Sequence, residues 1–462
     1  MAGRLPFPVV ATLVGVGIGL VILVVLWPLG RRAARLDGDP ATGRLVRWGL
    51  VLKLVAVPVY LLVVSSVYGS GDYSLYSHNG ALIAHAYRSG QFHVVLPAAS
   101  SQDNFVSFVA GWIYTVVGVT QLGAFFVFAG ASFCGQYLCY RAFRVAVPDG
   151  DRVRYGRLMF LFPSVVFWTV PIGKDSLSLL GLGLAFLGTA RLFRHRRGGL
   201  VLLGAGLGLT MAVRPNIALT VFVALAPAYV VARGPRRGRG NVAAKVVGVA
   251  ALVIIGSLVI PRAEHFLGIK NLSLNAVNGR LKQVATDTTN AGSASLGTTG
   301  ASTSSPTIID DPWRLPQDVV TVLFRPFPTE APTAVTRLAS LESLFLLGLS
   351  IVSFRRMGAA VRQVGRNGLV GFALFYALVF LATFAAIGNL GLLARERVQV
   401  LPAWFVLLAA AAPAARRLAA PNRAAPATSR PGPVRPGPVR PGTVRPGTVR
   451  PGGVRPGPGA AT

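Results

Sequence analysis

The chain has 462 residues, of which 53% are hydrophobic and only 13% charged. Soluble domains carry about 25% charged residues, so an ordinary soluble globular protein is excluded in favour of one built for a bilayer. The formal charge of +31 invites a nucleic-acid role, but most of the arginines lie in short segments between apolar runs and in a C-terminal tail. That is the positive-inside bias of membrane proteins, and no nucleic-acid partner is implied.

Apolar runs of the length that a bilayer requires recur along the chain and predict an all-α, polytopic transmembrane bundle of about eleven spans. The first, residues 9–29, lacks the small-residue cleavage site of a signal peptide and is read as a retained span. Arg31, Arg32, Arg35, Arg44 and Arg47 follow it and place this loop inside, so the N-terminus is outside. Residues 48–67 carry the chain out, with Lys53 near the inner end and able to snorkel to the interface. An outer loop, about 68–104, holds GDYSLYSHNGALIAHAYRSGQF, and residues 105–117 predict a helix lying along the outer face. Residues 121–140 return to Arg141, Arg144, Arg152, Arg154 and Arg157. Residues 158–170 go out to Lys174-Asp175, and 177–193 come back to the cluster at Arg194, Arg196 and Arg197. Residues 200–213 exit to Arg214 and 217–231 re-enter before the arginines from Arg233 onward. Residues 242–260 lead to the longest outer loop, 261–337, and 338–354 re-enter toward Arg355, Arg356, Arg362 and Arg366. Residues 369–387 exit, 388–399 turn outside, and 400–413 end inside.

Two domains result: a transmembrane unit over residues 1–420 and a tail over 421–462. The long outer loop has a Thr, Ser, Gly and Ala-rich centre at 288–305, which predicts flexibility. The tail repeats R-P-G-x-V between Arg430 and Arg455 and has too little apolar content for a core, so it is expected to be disordered, cytoplasmic and drawn to anionic lipid. Cys134 and Cys139 share one apolar run, give neither a disulfide framework nor a metal spacing, and are read as packing residues.

The informative charges are those outside the positive-inside pattern, because an ionisable group at a span end is costly unless it serves a cavity, partner or substrate. They are Asp72, with Tyr76, His78 and His85 behind it; Lys174-Asp175; Arg214 in V-R-P-N; Arg325 with Glu330; and Arg395-Glu396-Arg397. All fall on the outer side of the predicted topology. His78 and His85 stand seven apart, a spacing open to a metal but better suited to interfacial histidines. Glu330 and Glu342 are read as partners of Arg325 and Arg337. No metal-ligand set and no cofactor motif stands out.

The order of these features resembles the GT-C superfamily of membrane glycosyltransferases, in particular those of the dolichyl-phosphate-mannose mannosyltransferase type. GDYSLY with Asp72 corresponds to that family's early outer acidic residue. Phe162-Pro-Ser-Val-Val-Phe-Trp168 followed by Lys174-Asp175, GLGLTMAVRPN with Arg214, FRPFPTE, and GNLGLLARER through Arg397 follow in the family's order. The likeness covers roughly residues 48–413. It implies transfer of a sugar from a polyprenyl-phosphate donor to a glycan, lipid or protein acceptor at the extracytoplasmic face of the plasma membrane, with no cofactor expected and a divalent metal left open. Asp72 is then the general base. Arg395 and Arg397, followed by Arg214 and Lys174, are the candidates to hold the departing phosphate, and Asp175, Tyr76 and His78 line the substrate. A transporter or flippase of lipid-linked sugars, or a polysaccharide polymerase or ligase using polyprenyl diphosphate, are the alternatives.

Overall fold

The computed structural model describes residues 9–67, 69, 71–94, 96, 100–232, 240–295, 312–331 and 333–411. Among them every regular element is helical. In chain order the α-helices are α1 (Val9–Leu26), α2 (Pro28–Asp37), α3 (Pro40–Val67), α4 (Asp72–Arg88), α5 (Ser101–Val117), α6 (Gln121–Ala146), α7 (Arg152–Leu161), α8 (Pro163–Phe167), α9 (Lys174–Phe193), α10 (Gly199–Val213), α11 (Pro215–Val231), α12 (Gly240–Leu267), α13 (Leu274–Ser295), α14 (Leu315–Phe324), α15 (Ala334–Val352), α16 (Phe354–Val361), α17 (Gly368–Phe384), α18 (Leu390–Glu396) and α19 (Leu401–Ala409). The repeat tail lies outside the described residues.

Among the described residues, five helices are long and apolar enough to cross a membrane: Val9–Asp37, Pro40–Val67, Gln121–Ala146, Lys174–Phe193 and Ala334–Val352. Gly199–Val213, Pro215–Val231, Leu315–Phe324 and Gly368–Phe384 are apolar but shorter. Large apolar side chains on α1, α3 and α15, among them Leu13, Val24, Val55, Leu62, Leu338 and Phe345, face outward. An apolar surface of that extent is incompatible with water and suits lipid. The chain is therefore a membrane protein.

Close helix contact comes from small residues. A Cβ on Gly135 of α6 would collide with the backbone of Leu179 in α9, and one on Gly183 of α9 would strike Gly135. On the other side of α9, Gly181 and Gly188 meet the backbone of α10 around Gly206 and Leu203. Bare backbones in contact are what bind helices where lipid removes the hydrophobic drive to associate. Aromatic residues fill the rest of this core, with Phe143 stacked on Tyr155 and Phe186 edge-on to Phe372.

Four sequence expectations change. Residues 158–170 are not one span: Pro163 lacks an N–H to continue α7, so the chain restarts as the short α8 and then unwinds before α9. Lys53 does not snorkel. It is fully buried, and its ammonium donates to the carbonyls of Val165 and Val166, both at 3.1 Å, and to Thr169. The described part of the 261–337 segment is largely helical, because α12 continues to Leu267 and α13 and α14 follow; α13 takes in the first part of the 288–305 stretch, and 296–311 lies outside the described residues. Among the described residues the final helix is Leu401–Ala409, buried throughout and so sheltered from lipid by its neighbours.

Candidate functional site

The site forms where the ends of α4, α9, α10 and α18 meet. Asp72 opens α4, preceded by Gly71 at the N-cap. Its carboxylate caps nothing. It remains 63% exposed and accepts a hydrogen bond from Arg395 Nη1 at 3.2 Å. Arg395 turns its Nε to Asp175 at 2.6 Å. Asp175, only 3% exposed, also accepts from Arg214 Nη2 at 2.6 Å. Arg214 extends its Nη1 to Glu396 at 2.5 Å, and Glu396 accepts from Gln399 at 2.8 Å. The result is an alternating chain, Asp72–Arg395–Asp175–Arg214–Glu396, exposed at one end and buried at the other. Burial disfavours the charge of Arg395, but Asp175, then Glu396 and Asp72, more than offset this and hold its pKa above the usual value.

Local geometry explains each placement. Lys174 and Asp175 begin α9, and successive helical residues point about 100° apart. Asp175 therefore enters the bundle while Lys174 faces α5, where it pairs with Asp103 at 2.9 Å. Arg214 stands at the break between α10 and α11, where Pro215 starts a new helix and directs the arginine sideways. Tyr76 donates its hydroxyl to Asp103 at 2.9 Å. Burial works against the Asp103 carboxylate, yet hydrogen bonds from Ser100, Lys174 and Tyr76 prevail and hold its pKa below the ordinary value. Burial and then the bond to Asp103 push the Tyr76 phenol up.

Two sequence candidates lie elsewhere. Arg397 has no exposed surface and points away from Asp72. Its Nη1 donates to Leu323 O at 3.2 Å and Ser343 Oγ at 2.7 Å, and its Nη2 to Glu342 at 3.0 Å. Glu342 in turn accepts from the Ser164 N–H at 2.8 Å, so its partner is Arg397 and not Arg337. The set is a buried strut joining α8, α14 and α15 to the turn after α18. His78 lines a separate shallow groove with His85, Arg88 and Val119. Among the described residues no hydrogen bond or ion pair links it to the Asp72 chain. Glu330 does pair with Arg325, at 2.9 Å.

The sequence reading missed Asp103, Glu396 as a network member, and Tyr60. Tyr60 lies on α3 within electrostatic reach of Arg395, Asp175 and Asp72, its ring 5.0 Å from Phe167. Asp103 had a signal, since Ser100 three residues before it is a helix N-cap, but that pattern announces a helix start and no ion pair. The carboxylates Asp72, Asp175 and Glu396 are separated by guanidiniums, and among the described residues no three His, Cys, Asp or Glu groups converge as metal ligands.

Two large grooves open on the surface of the bundle. One of about 790 Å³ is lined by Val59, Val63, Phe167, Trp168, Leu338 and Phe345. Another, about 940 Å³, runs from Gln102 and Phe105 past Met211 and Pro215 to Arg262 and His265. Both are mainly apolar; the first also borders Ser164 and Glu342 of the Arg397 strut, and the second reaches Pro215, next to Arg214 of the ionic chain. Compared with models of protein families, with curated proteins and with solved structures, the chain matches none.

Proposed function

We propose that the chain is a GT-C-like glycosyltransferase that moves a sugar from a polyprenyl phosphate to an acceptor hydroxyl at the extracytoplasmic face of the cell membrane. The observation that carries the reading is the exposed Asp72 carboxylate held against Arg395, a guanidinium fixed from behind by Asp175. A base and a phosphate-binding cation thus stand side by side at the ends of membrane helices. The apolar groove that reaches Pro215, next to Arg214, suits an isoprenoid chain.

In this mechanism the acceptor oxygen attacks the anomeric carbon and its proton passes to Asp72. The bond from that carbon to the phosphate oxygen breaks, and its electron pair leaves with the polyprenyl phosphate. A single displacement inverts the anomeric centre. The leaving phosphate gains negative charge, which Arg395 and Lys174 stabilise. Asp175, Arg214 and Glu396 hold Arg395 in place, so no reorganisation is needed during reaction. Arg397 serves the scaffold.

The finer topology belongs to the same proposal: about eleven crossings, outer-face helices α4 and α5, and a cytoplasmic, disordered tail. With α10, α11 and α17 shorter than the bilayer core, these crossings rely on neighbouring helices to shield their ends.

The test is release of free polyprenyl phosphate by the purified chain from polyprenyl-phosphate hexoses, with membrane extract supplying acceptor. Asp72→Asn is expected to lower release by about 10²-fold or more, the usual contribution of a general base. Full turnover in that variant favours a polymerase or ligase acting on polyprenyl diphosphate. Movement of the lipid-linked sugar across vesicles without a new glycosidic bond favours a flippase.

A further inference from the structure

Arg395 carries an unused donor edge. Its Nε serves Asp175 and its Nη1 serves Asp72, while among the described residues its Nη2 has no hydrogen-bond partner. A quarter of the side chain is exposed, on the side of the exposed Asp72. A phosphate oxyanion fits the Nη1–Nη2 fork of a guanidinium bidentately, and that fork is half occupied by a carboxylate that is itself exposed to solvent. Behind Arg395 nothing can yield, because Asp175 is buried and doubly bound.

The charge balance points the same way. In the chain Asp72–Arg395–Asp175–Arg214–Glu396, three carboxylates against two guanidiniums leave one negative charge in excess. An anion can enter only if one carboxylate gives ground, and Asp72 alone is exposed enough to do so.

We propose that Arg395 and Asp72 form an anion-operated latch: a phosphate group takes the Nη1–Nη2 fork of Arg395, displaces Asp72, and so frees that carboxylate to act as a base only when phosphate is bound. This inference rests on the glycosyltransferase reading for the use made of the freed carboxylate, but the exchange itself is a binding property. Before phosphate arrives, the guanidinium keeps the Asp72 carboxylate occupied. Afterwards the carboxylate is released beside the reacting centre. The latch predicts that Asp72 competes with the ligand, so its removal tightens phosphate binding while abolishing turnover. A carboxylate that simply lines the site, or one that contacts the sugar, predicts unchanged or weaker binding.

The experiment measures binding of farnesyl monophosphate and, separately, inorganic phosphate to the full chain in phosphatidylcholine nanodiscs. In Asp72→Asn, affinity is expected to rise on the order of fivefold, the effect of removing one partly exposed competing charge. Arg395→Lys, which keeps the charge and loses the fork, is expected to weaken binding, and Arg395→Gln to abolish it. The thermal midpoint of each variant without ligand checks folding. Affinity in Asp72→Asn that is unchanged or weaker, with binding still dependent on Arg395, overturns the latch and leaves the glycosyltransferase reading standing. Absence of binding by the wild type, or equal binding by folded Arg395→Gln, overturns both. A shift with inorganic phosphate as well as farnesyl phosphate shows the latch reads the phosphate alone. A shift with farnesyl phosphate only shows that the isoprenoid must seat first, and either supports the exchange.

Discussion

Arg395, Glu396 and Arg397 are consecutive, yet they go to three places. Arg395 reaches Asp72 and Asp175, Glu396 reaches Arg214, and Arg397 turns back to Glu342. Residues two apart on a helical turn face away from each other, so one arginine serves the site and the other cannot. The buried pair Arg397–Glu342 is sensitive to loss of one partner, because the other charge is left uncompensated. Glu342→Gln is expected to cost about 3–5 kcal/mol of stability, read as a fall in thermal midpoint in detergent, while farnesyl phosphate binding at the measurement temperature persists. An unchanged midpoint shows that the strut carries no weight. Asp103 gives a pH effect whose sign follows from its lowered pKa. The folded chain holds this carboxylate ionised more strongly than the unfolded chain does. Its contribution is present in full above the ordinary carboxylate pKa of about 4 and is lost as pH falls through the lower folded value. Melting midpoints measured from pH 6 down to pH 3 should therefore fall, and Asp103→Asn should flatten that fall. A profile that is the same in both proteins removes Asp103 as a source.

At the scale of elements, the packing of α9 between α6 and α10 positions the site, since α9 starts with Lys174-Asp175 and α10 ends at Arg214. The contact is backbone against backbone at Gly135 and Gly183. Gly135→Leu is expected to force the helices apart, lowering stability by about 1–3 kcal/mol as overpacking does and loosening the Asp175–Arg214 pair. Thermal unfolding measures the first, and loss of phosphate binding at a temperature where the variant stays folded measures the second. A variant as stable as the parent would mean α6 and α9 are further apart than described. The break between α7 and α9 is positioned from α3. Lys53 binds the carbonyl end of α8, and Ser176 donates to the carbonyls of Thr169 and Pro171, at 3.0 and 2.6 Å, closing the turn that leads into Lys174. From the sequence, Lys53 looked like an interfacial lysine because position along a span is all that hydropathy reports. Its acceptors lie more than a hundred residues away.

For the whole molecule, side is the property to test. In a background lacking Cys134 and Cys139, a cysteine at Ser74 is expected to react with a membrane-impermeant maleimide in intact cells, and one at Arg196 only after lysis. Both positions are exposed, so access is decided by the membrane and not by burial. The reverse pattern would place the Asp72 chain inside and remove the extracytoplasmic reading. The sequence by itself determined that the chain is a helical membrane protein, and it singled out Asp72, Lys174, Asp175, Arg214 and Arg395 as charges in need of a reason. Apolar run length and arginine placement are local properties, so they can be read without coordinates. Only the tertiary structure decided which charges meet. Asp72 and Arg395 are 323 positions apart, and Asp175 and Arg395 are 220 apart. No periodicity encodes such pairs. They follow from where Pro163 and Pro215 break helices, from how closely glycine lets α6, α9 and α10 approach, and from the turn of α18 that faces Arg395 to the site and Arg397 to the scaffold.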